Sequence, residues 1–165
     1  MTPGTRATLS ALAWVALLCT SPEFTARAQQ AGLRVEAPGH QAQSLTLAQL
    51  QALPATSMAV SFQGEHGQEQ ATYSGALLWT VLEHAGMIDP AAPRDHVRQV
   101  VTVTGVDGYT SVLALAEIDP SFEGKAVLLA DTRNGTPIQN HPRLIVPGDR
   151  RGGRSVRDVV SIAVR

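Results

Sequence analysis

The sequence predicts a strand-rich α+β domain with a few short helices. Three features carry that expectation. Short runs of alternating apolar and polar residues recur along the chain, set apart by turn residues. Two longer runs carry the 3.6-residue period of amphipathic helices. Composition suits one packed core, with 44% hydrophobic residues in 165 and no low-complexity tract.

Taken in order, GLRVEA (32–37) and TSMAVSF (56–62) alternate as strands, and SLTLAQLQALP between them reads as a short helix. Ser44 or Thr46 starts that helix and Pro54 stops it. GEHGQEQATY reads as a hairpin with Gly64 and Gly67 in the turn. SGALLWTVLEHAGM is the clearest helix: Leu78, Val81, Leu82 and Ala85 fall on one stripe, and Gly86 stands where a left-handed cap is wanted. Further strands are expected over 99–105, 109–114, 126–131, 143–148 and 159–164. Arg133-Asn134-Gly135-Thr136 reads as a tight hairpin turn, because Asn and Gly tolerate the positive φ angles such turns demand.

The first residues read as a secretory signal: Arg6 near the start, an apolar run from Leu9 to Leu18, and Ala26-Arg27-Ala28 as a small-x-small cleavage site. The run falls short of the ~20 apolar residues that span a bilayer. Residues 1–28 are therefore expected to leave, and residues 29–165 to form a single secreted or periplasmic domain with no membrane insertion. Cleavage would remove Cys19, the one cysteine, leaving no disulfide and no thiolate.

Charge is uneven along the chain. Residues 143–165 carry six arginines against two aspartates, whereas residues 29–142 carry five basic side chains against eleven acidic ones. Nucleic acid is a poor partner for such a chain. A basic tip on an acidic domain suits a small anionic or electron-rich ligand, or else a solvated loop paired with the chain's own carboxylates. The tip reads VPGDRRGGRSVRDVV, in which Arg150, Arg151, Arg154 and Arg157 surround Gly152 and Gly153. Successive glycine amides can form an anion-binding concavity, and guanidinium forks suit phosphate, carboxylate or a heterocycle edge.

No catalytic spacing stands out. His40, His66, His84, His96 and His141 lack metal-ligand spacing, and no HExxH, GxSxG or phosphate-loop pattern occurs. Ser61, Ser74 and Ser111 have no nearby histidine to activate them. No metal is expected.

Three segments taken together, YSGALLWTVLEHAGM, VTGVDGYTSVLALAEIDPSFEGKAVLLADTRNGTPI and PRLIVPGDRRGGRSVRDVVSIAV, resemble the oxidoreductase molybdopterin-binding domain, of sulfite-oxidase-like fold. The likeness is greatest to short, secreted, stand-alone members and runs from about Leu45 to Val164. Its most specific parts are Asp107-Gly108-Tyr109, Asn134-Gly135-Thr136-Pro137, and Arg143 to Val146 leading into Pro147-Gly148. In full-length enzymes of that family, molybdenum is held by a pterin dithiolene and one cysteine thiolate. That cysteine would fall within SFQGEHGQEQATYSG, where this chain has none. Two separate pairs of basic residues to hold an oxyanion above a metal are also missing from the sequence pattern. Cofactor-loaded relatives usually leave the cytoplasm folded, through a twin-arginine signal, and residues 1–28 contain no adjacent arginine pair.

The resemblance implies that the C-terminal loop touches a pterin or molybdopterin. The expected ligand-binding residues are Tyr109, Arg150, Arg151, Gly152, Gly153, Arg154 and Ser155, the last standing where relatives often carry a tryptophan. Trp79, His66, Asp107 and Arg143 are further candidates. Each has a plainer reading: packing for Trp79 and Tyr109, a turn for Asp107, a solvent-facing turn for His66, and an ion pair for Arg143. Asp131 and Arg133 are expected to form a surface pair. The expectation is a pterin-binding, non-catalytic or sensory module serving a membrane-bound sensor or signalling protein. The alternatives are a molybdenum-cofactor-dependent oxidoreductase and a structural interaction domain with a vestigial pocket.

Overall fold

The computed structural model describes Met1 and residues 32–165. The expected leader over 1–28, Met1 apart, lies outside the described residues, as does Cys19. The domain is strand-rich α+β, built on two five-stranded sheets.

The first sheet has the order β2-β1-β10-β5-β6, from Leu33–Glu36 (β1), Gln43–Leu45 (β2), Val100–Gly105 (β5), Thr110–Ala114 (β6) and Val159–Val164 (β10). Only β1 and β10 pair in parallel; every other ladder in either sheet is antiparallel. In the second sheet, Ala55–Gly64 (β3) pairs Gly67–Leu77 (β4), and β4 pairs Leu128–Arg133 (β7). The short strands Thr136–Pro137 (β8) and Arg143–Ile145 (β9) both pair β7.

Side chains alternate between the two faces of a strand, and the second sheet is consequently apolar on both. Leu129 of β7 and Leu144 of β9 enter the larger core, packed with Val101, Val103, Ile162, Leu78 and Leu82. Their neighbours Leu128, Ala130 and Ile145 enter a smaller core with Val60, Phe62, Ala71 and Tyr73. The smaller core supports the polar cluster described below.

Helix α1 (Leu47–Gln51) is capped by Thr46, whose side chain accepts from the Gln49 amide while the Gln49 side chain accepts from the Thr46 amide. Helix α2 (Leu78–His84) buries Leu78, Val81 and Leu82, and Gly86 has φ 67°. α2 starts later than the sequence period implies. Tyr73 to Leu77 are held by pairing to β7, and Gly75 packs so tightly there that a Cβ would lie 2.1 Å from the Leu129 carbonyl oxygen. The strand expected over 143–148 stops at Ile145. Beyond it Val146 donates its amide to Ser155 Oγ (3.5 Å), and the chain turns at Gly148 with φ 84°. Short α3 (Pro93–His96) and α4 (Leu115–Ile118), β2 and β8 carry too few residues for a periodic signal. Asn134 (φ 50°) and Gly135 (φ 76°) form the expected hairpin turn. Among the described residues, no helix is long and apolar enough to cross a membrane.

Candidate functional site

The loop after β9 and the β3–β4 hairpin face each other across an open groove of about 490 Å³. Four contacts hold the loop there. The Gln63 amide donates to the Arg150 carbonyl (2.9 Å), and Gln63 and Arg151 form a short parallel bridge. Gly152 lies on the Phe62 ring so closely that a Cβ would sit 2.7 Å from Phe62 Cε2. The Tyr109 hydroxyl donates to the Gly153 carbonyl (2.6 Å).

Of the residues expected from the sequence, Tyr109, Arg151, Gly152, Gly153, Ser155, Asp107 and Arg143 line this groove. Tyr109 is half exposed, and its own amide donates to Asp107 Oδ1 (2.9 Å), so the aspartate both turns the chain and borders the groove. Ser155 is buried, its amide donating to the Gly152 carbonyl (3.0 Å). His66 lines an adjoining recess of about 360 Å³ that shares Glu65, Glu69, Arg143 and Arg157 with the groove.

Three expected residues stand elsewhere. Arg154 turns away, donating to Asp149 (2.9 and 2.6 Å) and to Glu117 (3.2 and 3.4 Å). Asp149 and Glu117 together raise its pKa against the opposing effect of burial. Glu117 also accepts from Lys125 Nζ (2.5 Å), so Arg154 ties the loop to α4. Arg150 contributes its carbonyl to β3 and is absent from the groove lining. Trp79 packs against the larger core and meets His96 edge-on at 5.4 Å. There His96 Nδ1 and Asp119 Oδ2 lie 2.6 Å apart with both side chains only 2% exposed, a buried pair away from the groove.

The groove's floor is a cluster that the sequence reading missed. Arg143, 12% exposed, donates from Nη1 and Nη2 to the two Glu69 carboxylate oxygens (2.8 and 3.2 Å) and from Nη1 to the Tyr73 hydroxyl (2.6 Å). Tyr73 in turn donates to Glu69, and Arg133 Nε donates to Tyr73 (3.1 Å). Arg133 is thus turned toward Tyr73 and Glu69 instead of Asp131, whose carboxylate accepts from Thr132 (2.8 Å). Burial pushes the Glu69 carboxyl up, but Arg143, Tyr73 and Arg133 outweigh it and hold its pKa below the ordinary value. Burial and the bond to Glu69 push the Tyr73 phenol up. Arg143 Nε remains buried without a hydrogen-bond partner among the described residues. Two arginines do converge here, and Glu69 and Tyr73 occupy them. The signal in the sequence was the alternation of Glu69, Ala71 and Tyr73, which puts a carboxylate, a methyl and a phenol on one face of β4.

The family model for the oxidoreductase molybdopterin-binding domain matches residues 21–165. The chain belongs to that family. The match begins inside the expected leader. Among solved structures, the crystal structure of the sulfane dehydrogenase SoxCD from Paracoccus pantotrophus aligns with a TM-score of 0.64 at 17% identity. The alignment covers 81% of this chain and 37% of that chain, so the shared feature is the fold and this domain spans little over a third of the other's length. No curated protein sequence matches the chain.

Within this oxidoreductase molybdopterin-binding domain, the stretch from which a thiolate would come supplies Phe62, Gln63, Glu65 and Glu69 to the groove. Guanidinium, carboxylate, phenol and amide groups line it, and a molybdenum held by a protein thiolate does not fit that set. Arg151 and Arg157 line the groove with guanidinium groups, Tyr109 with a half-exposed ring, and Asp107 and Glu65 with carboxylates.

Proposed function

We propose that the chain is an exported domain that binds a pterin-type ligand in this groove without turning it over, as a sensory or partner module beside a membrane protein. One observation carries the reading: the loop brings Arg151 and Arg157 beside Tyr109 of the β5–β6 turn at one open concavity that has no thiol among its lining residues. Family membership supports the ligand class. The Glu69, Tyr73, Arg143 and Arg133 cluster supports binding over redox chemistry, because both Arg143 Nη atoms on the floor are engaged by Glu69 and Tyr73. An electron-rich ring lying between Tyr109 and the Arg151 guanidinium gains stacking and charge-assisted hydrogen bonds together.

Calorimetric titration of the protein with oxidised and reduced pterins tests this. Binding is expected to at least one of them, and Arg151→Ala should weaken it about tenfold or more, since a charge-assisted bond is worth ~1.5–3 kcal/mol. Unfolding should be nearly unchanged, because Arg151 is exposed and its side chain has no carboxylate partner among the described residues. A protein that binds none of the panel, or a variant that binds as well as the parent, contradicts the assignment.

A further inference from the structure

Strand β3 is the outer strand of the second sheet, and among the described residues β4 is its one strand partner over Ala55 to Phe62. At its far end the free edge is already used, by the Gln63 amide's bond to Arg150. Backbone groups of successive strand residues point to alternate sides. Gln63 points outward, and so therefore do Ala55, Ser57, Ala59 and Ser61. The neighbouring strand agrees independently: Thr72, opposite Ala59, spends its amide and carbonyl on Asn134, on the side away from β3. Ala55, Ser57, Ala59 and Ser61 are all exposed.

Natural edge strands are guarded by charge, proline, bulges or a covering segment. This edge lacks the first three. From Ala37 to Gly64 there is no Asp, Glu, Lys or Arg, and the β3–β4 ladder runs through ten residue pairs in unbroken register. The free window is bounded by Pro54, which has no amide to give, and by Gln63, which is taken. Its midpoint is Met58. A two-fold axis there lays residues 55–61 against the same residues of a second copy, Ala55 facing Ser61 and Ser57 facing Ala59. Every outward peptide group then meets an outward peptide group. The facing side chains are small and uncharged, so no like charges oppose one another.

We propose that the protein self-associates as a two-fold dimer through antiparallel pairing of β3 over Ala55 to Ser61, centred on Met58. Seven residues a side is far below the roughly 20–30 of a standard interface. The dimer therefore forms reversibly as concentration rises.

Sedimentation of the full chain over a wide concentration range should show a monomer–dimer equilibrium. Ala59→Lys, which sets two ammonium groups close to the axis, should weaken it roughly tenfold or more, a change of about 1.4 kcal/mol. The register has its own readout. Met58 would face Met58 of the second copy at a non-hydrogen-bonded position, where Cα atoms lie about 4.5 Å apart, within the ~4.4–6.8 Å that a disulfide spans. In a Cys19→Ser background, Met58→Cys should cross-link on mild oxidation and Thr56→Cys should not. A chain that stays monomeric throughout overturns the proposal and leaves the edge to an extended segment of another protein. Association that survives Ala59→Lys, or a cross-link at Thr56→Cys in preference to Met58→Cys, overturns it as well. Should Ala59→Lys fail to fold, the cross-linking pair decides alone.

Discussion

Glu69 is the residue on which the groove's floor turns, since Arg143, Tyr73 and Arg133 all direct polar atoms to it. Its folded-state pKa lies below the ordinary 4.5, so the unfolded chain takes up the proton first as pH falls. The stability it contributes is present above about pH 4.5 and is lost as pH falls through the depressed value. Glu69→Gln should lower the melting temperature at pH 7 and flatten its decline below pH 5, as read from thermal melts between pH 7 and 3. Glu117 and Asp119, also held below their ordinary values, leave a residual acid slope. An equally steep acid limb in the variant contradicts this account. Little of the cluster was legible in the sequence. Arg143 was visible as either an ion pair or a pocket wall, and it is both. Its partner Glu69, however, lies 74 residues away, and only the joining of β4 and β9 to opposite edges of β7 brings the two together.

At the scale of elements, the arginine loop is seated by its backbone, through the Gln63 amide's bond to the Arg150 carbonyl and the Tyr109 hydroxyl's bond to the Gly153 carbonyl. Gly152 was expected as an amide donor to a ligand; the structure gives it a steric duty, letting the loop lie on the Phe62 ring. Gly152→Ala should lift the loop from β3 and weaken pterin binding, at a cost of about 1–3 kcal/mol in overpacking if the loop does not yield. Paired titrations and melts of parent and variant would show it, and unchanged affinity with unchanged stability would remove Gly152 from the account. Arg154 taught the complementary lesson. From the sequence it was indistinguishable from Arg151, because spacing alone cannot reveal that Asp149 and Glu117 lie on its side of the loop. Long alternating strands and the α2 stripe were readable because periodicity accumulates over many residues. Three- and four-residue elements such as β2, α3 and α4 offered no such signal.

For the whole molecule, the second sheet separates two cores and α2 closes the larger one. Leu82 is fully buried at that seam, so Leu82→Ala should cost ~2–5 kcal/mol. Coincident melts of mutant and parent would place the side chain elsewhere. The family fold was legible from motif order across nearly the whole chain, and the family match over residues 21–165 agrees with it. The proposed non-catalytic use rests on a smaller difference, the absence of a cysteine from the stretch between Ser61 and Gly75. Elemental analysis of the protein purified from its native host tests that difference most directly. The account predicts no molybdenum above background, and a stoichiometric amount would contradict it.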